Sequence, residues 1–203
     1  MASTSALGPL SNLTPAGKTA WIGADRLHRD QTGTTAAAAV TAAYASTWYN
    51  CFDAAQIPAG ATINGIELVS TTISTGTGFI GTAGSTGAAE TGTLEIYFYN
   101  GTSYSTAVYS NTFTGPNDYY PVPNGGGEVL AGGPSDLSGL TWNVADQTNF
   151  GFRIDVTAIT ATPVLIAVRG LALKVYYTEA ASNTPSLTIS SGKLTISSGK
   201  FTL

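Results

Sequence analysis

The feature that most limits what this chain can fold into is a strict alternation in its second half. From Asn149 to Thr178 it reads NFGFRIDVTAITATPVLIAVRGLALKVYYT. Phe150, Phe152, Ile154 and Val156 fall at every second position, interleaved with Gly151, Arg153, Asp155 and Thr157. A period of two sends apolar side chains to one face of a strand and polar ones to the other. After a break at Thr160 to Pro163 the chain resumes with Val164, Leu165, Ile166 and Val168. Leu171, Leu173, Val175 and Tyr177 then alternate with Ala172, Lys174, Tyr176 and Thr178. The expectation is a strand pair that spans a sheet and supplies much of one wall of a sandwich core. Arg153, Asp155 and Lys174 would keep one face of that pair wet. The stretch holds no group suited to chemistry.

A chain of 203 residues suits one domain with tails, or one large all-β domain. A domain of this size removes roughly 70 % of its unfolded surface from water, enough for a real core. Only 10 % of residues are charged, against a usual figure of about 25 %, and Gly, Ser, Thr and Ala fill the gap. Aromatic and β-branched residues are too plentiful for a disordered chain, so the composition fits a β protein with a neutral, hydroxyl-rich exterior. The net charge of −4, a pI near 4.7 and scattered Lys and Arg exclude the basic patch that nucleic-acid binding needs. Cys51 is the single cysteine, so no intrachain disulfide can form. Within WYNCF it reads as a small buried hydrophobe, and no His, Lys or Arg lies close in sequence to activate it. The N-terminus lacks the basic and apolar regions of a signal peptide. The aliphatic run Val164 to Val168 is far too short to span a bilayer. Cytoplasmic synthesis and folding, with no membrane partner, is the expectation.

Three regions follow: an extended N-terminal arm (1–20), a β-sandwich domain (21–180) and a C-terminal repeat tail (181–203). The arm has Pro9, Pro15 and no periodicity; fully extended it reaches on the order of 65 Å, and a partner chain is expected to hold it. Trp21-Ile22 begins a strand. The cluster Asp25, Arg26, His28, Arg29 and Asp30 reads as a local ion-pair loop, since no nucleophile motif accompanies the only histidine. Thr34 to Ser46 is rich in alanine but lacks an amphipathic stripe, leaving helix and strand both open. Tyr44 to Phe52 is a strand, Ile57 to Gly60 a turn, and Thr62 to Thr75 a long strand with Ile66 and Leu68 inward and Glu67 outward. Gly76 to Glu90 reads as a loop. Its GTGFIG matches the dinucleotide fingerprint in form only, because glycines rather than a helix follow. Thr93 to Tyr99 and Ala107 to Phe113 form a hairpin about Asn100-Gly101. Gly115 to Gly139 is a long irregular passage of the kind that carries function or interfaces, and its Tyr119 and Tyr120 are candidate partner-binding residues.

The tail reads LTISSGK-LTISSGK-FTL from Leu187 to Leu203. Leu187 and Ile189, Leu194 and Ile196, and Phe201 and Leu203 take equivalent places in three short strands, with Ser-Ser-Gly-Lys as turns. Glycine and β-branched alternation oppose a coiled coil. Strands this short do not stabilise themselves in water, so these six residues are candidate contacts to a partner, either by addition to a neighbour's sheet edge or by winding with other copies.

Catalytic, cofactor and metal sites are expected to be absent. One His, one Cys and no carboxylates at ligand spacing leave nothing to hold a metal. Asp118, Glu128, Asp136 and Asp146 in or near long loops are the only basis for a glycosidase, and solvated surface acids are the plainer reading. Tyr97, Tyr99, Tyr104, Tyr109, Tyr119 and Tyr120 suit either sugar stacking or a protein interface.

Two segments resemble a β-sandwich module that recurs in structural proteins of tailed bacteriophages. They are Ile57 to Leu68, IPAGATINGIEL, and Leu140-Thr141-Trp142 with Asn149 to Val156, NFGFRIDV, and Leu171 to Thr178, LALKVYYT. The family carries an ending of the style GLTW…NFGVR…VYYT, and this chain has Phe152 where valine is common. The resemblance covers residues 21 to 178 and transfers no catalytic residue. It implies an all-β fold, an antiparallel sandwich of jelly-roll-like type, here with an extended arm and a repeat tail. The implied role is a non-enzymatic virion component, assembled in the host cytoplasm. The first expectation is a capsid decoration (cement) protein, a homotrimer bound to the major capsid protein or another virion protein through arm and tail. The alternative is an adhesion module of a tail or head fibre that binds host glycans.

Overall fold

Alternating segments become strands because only a pleated ribbon can bury one side of them, and most of the described residues are built this way. The computed structural model describes residues 1–18, 38–40, 45–52, 56–70, 72–73, 76–77, 79–82, 91–114, 119–121, 129–160, 166–181, 187–190 and 193–196. Trp21-Ile22, the cluster around His28, Asp118, Glu128, Phe201 and Leu203 lie outside the described residues.

In chain order the strands are β1 (Ala2–Ser3), β2 (Ser11–Leu13), β3 (Ala38–Val40), β4 (Ala45–Asn50), β5 (Thr62–Ser70), β6 (Thr72–Ile73), β7 (Gly76–Thr77), β8 (Phe79–Thr82) and β9 (Thr91–Asn100). There follow β10 (Tyr104–Thr114), β11 (Tyr119–Pro121), β12 (Val129–Gly133), β13 (Phe150–Thr160), β14 (Ile166–Arg169), β15 (Leu171–Thr178), β16 (Leu187–Ser190) and β17 (Lys193–Ile196). A 3-10 helix, Val144–Asn149, precedes β13. A four-stranded sheet ordered β1-β15-β5-β12 and a five-stranded sheet ordered β10-β9-β13-β4-β2 form an antiparallel β-sandwich. A further sheet, β11-β8-β14-β3, joins the first where β14 runs into β15 across Gly170, whose φ of 62° turns the chain. The described parts of the alanine-rich stretch are strand (β3 and the start of β4), which resolves the helix-or-strand alternative there.

The inward residues of both sheets form one core. Leu94, Ile96, Phe98, Phe150, Phe152, Ile154 and Val156 come from the five-stranded sheet, and Ile66, Leu68, Leu171, Leu173, Val175 and Tyr177 from the other. Cys51, just past β4, is fully buried among them, as its apolar surroundings in sequence imply.

Two expectations are corrected here. β13 and β15 are not a pair within one wall: β13 lies between β9 and β4, and β15 between β1 and β5, so they contribute to the core from opposite sheets. Two runs with one apolar face each can bury both faces against each other, and β14 lies between them in the chain as part of a third sheet. The arm is not an extension toward a partner over its first thirteen residues. Ala2 and Ser3 pair with Tyr177 and Tyr176, Leu7 and Leu173 exchange backbone bonds of 2.8 and 2.9 Å, and Ser11 to Leu13 pair with Asn50 to Trp48. Buried Pro9 has no N–H to offer a ladder, and the chain leaves one sheet for the other there. Open edges of β15 and β4 attract the chain's own backbone because unpaired strand groups are costly.

Segments read as loops also contain strands. β8 pairs with β14 and β11, and β12 pairs with β5, so small-residue stretches are recruited by partners rather than by their own propensity.

Candidate functional site

A cleft of about 900 Å³ opens at one end of the sandwich, between the 57–63 turn and the 137–148 segment. Pro58-Ala59-Gly60 folds back through Ala61 N–H donating to the Pro58 carbonyl at 3.1 Å, with Gly60 at φ +79°. Opposite, Asn143 caps the 3-10 helix, its side-chain oxygen accepting from Ala145 N–H at 3.0 Å. Gln147, 6 % exposed, clamps the two walls together: its Oε1 accepts from Ile57 N–H at 2.8 Å and its Nε2 donates to the Ile57 carbonyl at 3.1 Å. Trp142 Nε1 donates to the Leu137 carbonyl at 3.0 Å, and its ring stands edge-on to Phe150 at 4.8 Å. These bonds engage Gln147, the Ile57 backbone and the Trp142 indole, while Thr62, Thr141 and Thr148 also line the cleft. What faces the cleft is mostly apolar, including Ile57, Ile63, Leu137, Leu140 and Val144, and among the described residues no titratable side chain lines it. Such walls can take up apolar groups.

The chain leaves β15 at the mouth of this cleft. Asn64 Nδ2 donates to Thr178 Oγ1 at 2.9 Å, and the Ala180 methyl lies 3.4 Å from where a side chain on Gly60 would begin.

A second constellation covers the outer face of the five-stranded sheet. Register sets Tyr97 opposite Arg153, Glu95 opposite Asp155, and Tyr104 opposite Tyr99. The Arg153 guanidinium lies 4.4 Å from the Tyr97 ring centre and 4.3 Å from that of Tyr104, while its Nε meets Asp155 at 3.0 Å. Ser46 Oγ donates to Asp155 at 2.7 Å, and Tyr97 OH donates to Glu95. Two like charges facing each other are thereby each given a donor, Arg153 and Ser46 on Asp155 and Tyr97 on Glu95. Burial first, then the hydrogen bond to Glu95 and the charges of Glu95 and Asp155, push the Tyr97 phenol up to about 12, against the opposing pull of Arg153. Burial likewise raises Tyr104, with Arg153 opposing. On the other sheet, Glu67 points outward as expected yet is only 5 % exposed; Tyr176 OH donates to it at 2.7 Å and Lys174 Nζ donates to Tyr176 OH at 2.7 Å.

The described residues expected to bind a partner belong to two different sheets. Tyr119 and Tyr120 are in β11, opposite Gly81 and Ile80 of β8. Leu187 pairs with Ile196 and Ile189 with Leu194, so the first two repeats form an antiparallel ribbon with each other, and the third lies outside the described residues. Of the acids, Asp136 accepts from Ser138 N–H at 2.7 Å in a turn, and Asp146 lies in the first turn of the 3-10 helix. Among the described residues no three His, Cys, Asp or Glu side chains group for a metal, and no helix is long and apolar enough to cross a membrane. The cleft itself was not foreseeable from periodicity; its signals are the cap at Asn143 and a tryptophan outside any strand.

Comparison with protein-family models, with curated proteins and with solved structures finds no match for this chain.

Proposed function

We propose that the protein is a non-enzymatic structural component of a virus particle, a capsid decoration protein that binds the shell as an oligomer. The observation that carries this reading is the C-terminal ribbon. Among the described residues β16 and β17 pair with each other and with neither wall of the sandwich. An isolated ribbon of four-residue strands is marginal in water, and a neighbour that covers it gives it a reason to exist. The resemblance of residues 21 to 178 to a module of tailed-phage structural proteins supports the viral setting. Its quoted segments include β5, β13 and β15, strands that build the core. A cleft whose described lining is uncharged, and ion pairs met by their own neighbours, fit a surface that is covered rather than one that turns over a substrate.

Purified shells mixed with the full chain and with residues 1–181 test this. Binding that falls sharply on truncation is expected, and undiminished binding would remove the tail from the contact. The glycan-binding alternative draws on Tyr99 and Tyr104, whose ring centres are 4.6 Å apart on the outer face, with Tyr104 37 % exposed. It requires host-glycan binding by the isolated protein that Tyr104→Ala abolishes.

A further inference from the structure

The two outer faces of the sandwich differ. On the four-stranded sheet the outward residues Glu67, Val69 and Ala172 are buried. On the five-stranded sheet every outward residue of β9, from Thr91 to Tyr99, keeps part of its surface, and Tyr104, Ser110, Thr112 and Thr114 of β10 are exposed beside them. We propose that this second face is a binding strip for an extended, uncharged polysaccharide laid along β9. The strip rests on the glycan-binding alternative above and deepens it. It adds the chemical class of the sugar chain and a length of sheet that the Tyr99 and Tyr104 pair alone does not supply.

Register builds the strip rung by rung. Leu94, Ile96 and Phe98 enter the core, so the residues between them point the other way. Thr114 lies opposite Thr91 and Thr112 opposite Thr93, the latter pair joined by a hydroxyl bond of 2.8 Å. Ser110 and Asp155 flank Glu95 on the next rung, and Arg153 sits beside Tyr97 on the one after. The stacked rings of Tyr99 and Tyr104 close the far end. From Thr91 to Tyr99 the strand runs on the order of 27 Å, room for several sugar rings in a row. Three features of this surface select the guest. Threonine and serine hydroxyls each donate and accept, as sugar hydroxyls do, so the two sets can satisfy one another along the strip. Tyrosines offer rigid, amphipathic rings at little entropic cost, and the Arg153 guanidinium, 4.3 Å from the Tyr104 ring centre, steadies that ring. Charge turns away an acidic chain, because Glu95 and Asp155 outnumber Arg153, whose Nε already meets Asp155 at 3.0 Å. A protein partner is the poorer match: the fully buried centre of a stable interface is apolar, and the outward residues of β9 include no aliphatic residue.

Affinity electrophoresis and calorimetry on the full chain test this, with a soluble glucan, a mannan and a galactan as neutral probes and alginate as the acidic one. Binding to at least one neutral polymer, and none to alginate, is expected. With oligosaccharides of the polymer that binds, affinity is expected to rise from the disaccharide up to about five units, as the strip fills. Tyr104→Ala is expected to raise the dissociation constant about tenfold or more. Thr93→Val, which keeps the shape of the side chain and removes its hydroxyl, is expected to raise it about threefold or more. A melting curve on each variant checks that it folds. No binding to any neutral polymer would overturn this proposal and the glycan reading together. Binding that Tyr104→Ala abolishes, but that Thr93→Val and oligosaccharide length leave unchanged, would keep the glycan reading and refute the strip. Binding to alginate alone, or binding that neither substitution weakens, would refute the site as assigned. Shell binding lost in the same variants, with no sugar bound by the parent chain, would give this face to a protein partner instead.

Discussion

Gly151 shows how much a single missing side chain decides. A Cβ built there would stand 1.9 Å from the Tyr49 carbonyl oxygen in the adjoining strand, so β4 can hydrogen-bond β13 only if this position is bare. Gly151→Ala is expected to cost about 2–3 kcal/mol, read as a lower urea midpoint. Gly139, at φ +71° with open space around it, is the control: alanine there meets only the left-handed backbone penalty of about 1–2 kcal/mol. Gln147→Leu is expected to destabilise by about 2–4 kcal/mol in the same assay, because it leaves a buried N–H and a buried carbonyl of Ile57 without partners. The strand period places Gly151 on the polar face but cannot say that a neighbouring backbone fills the space. Nor does anything local mark Gln147, whose partner lies 90 positions away.

At the scale of elements, the outer face of β9, β10 and β13 makes a pH prediction. Tyr97 holds its proton in the folded chain up to about 12, whereas the unfolded chain releases it near the ordinary 10.0. Above pH 10 the unfolded state therefore ionises first, and stability is complete below that value and declines as pH rises toward 12. Urea unfolding at a series of alkaline pH values is expected to show this slope, and Tyr97→Phe to reduce it; equal slopes would refute the burial and hydrogen-bond account. The hairpin itself was legible, since Asn100-Gly101 marks it and the Asn100 side chain accepts from Thr102 and Ser103 N–H at 2.9 and 2.7 Å, with Gly101 at φ +96°. Strands with strong alternation, such as β5, β9, β13 and β15, were equally plain. Which of them lie side by side was not, because alternation reports a buried face and says nothing about the neighbour along the hydrogen bonds. β8, β11 and β12 escaped notice for the complementary reason, being short strands in glycine-rich or irregular passages and made by pairing with distant partners.

The whole molecule is laced by its first thirteen residues, which add a strand to each sheet on one crossing. Removing residues 1–13 is expected to lower the melting temperature by on the order of 10 °C, since it opens the edges of β15 and β4 and exposes apolar surface that Leu7 helps to cover. A melting point unchanged by that deletion would show the lacing to be idle. The same feature carries a consequence for biogenesis. Val175 N–H donates to Thr4 Oγ1 across 171 positions of sequence. Residues 1–13 are thus made long before the strand that β1 binds, and the newborn chain must keep them out of wrong pairings until β15 has followed.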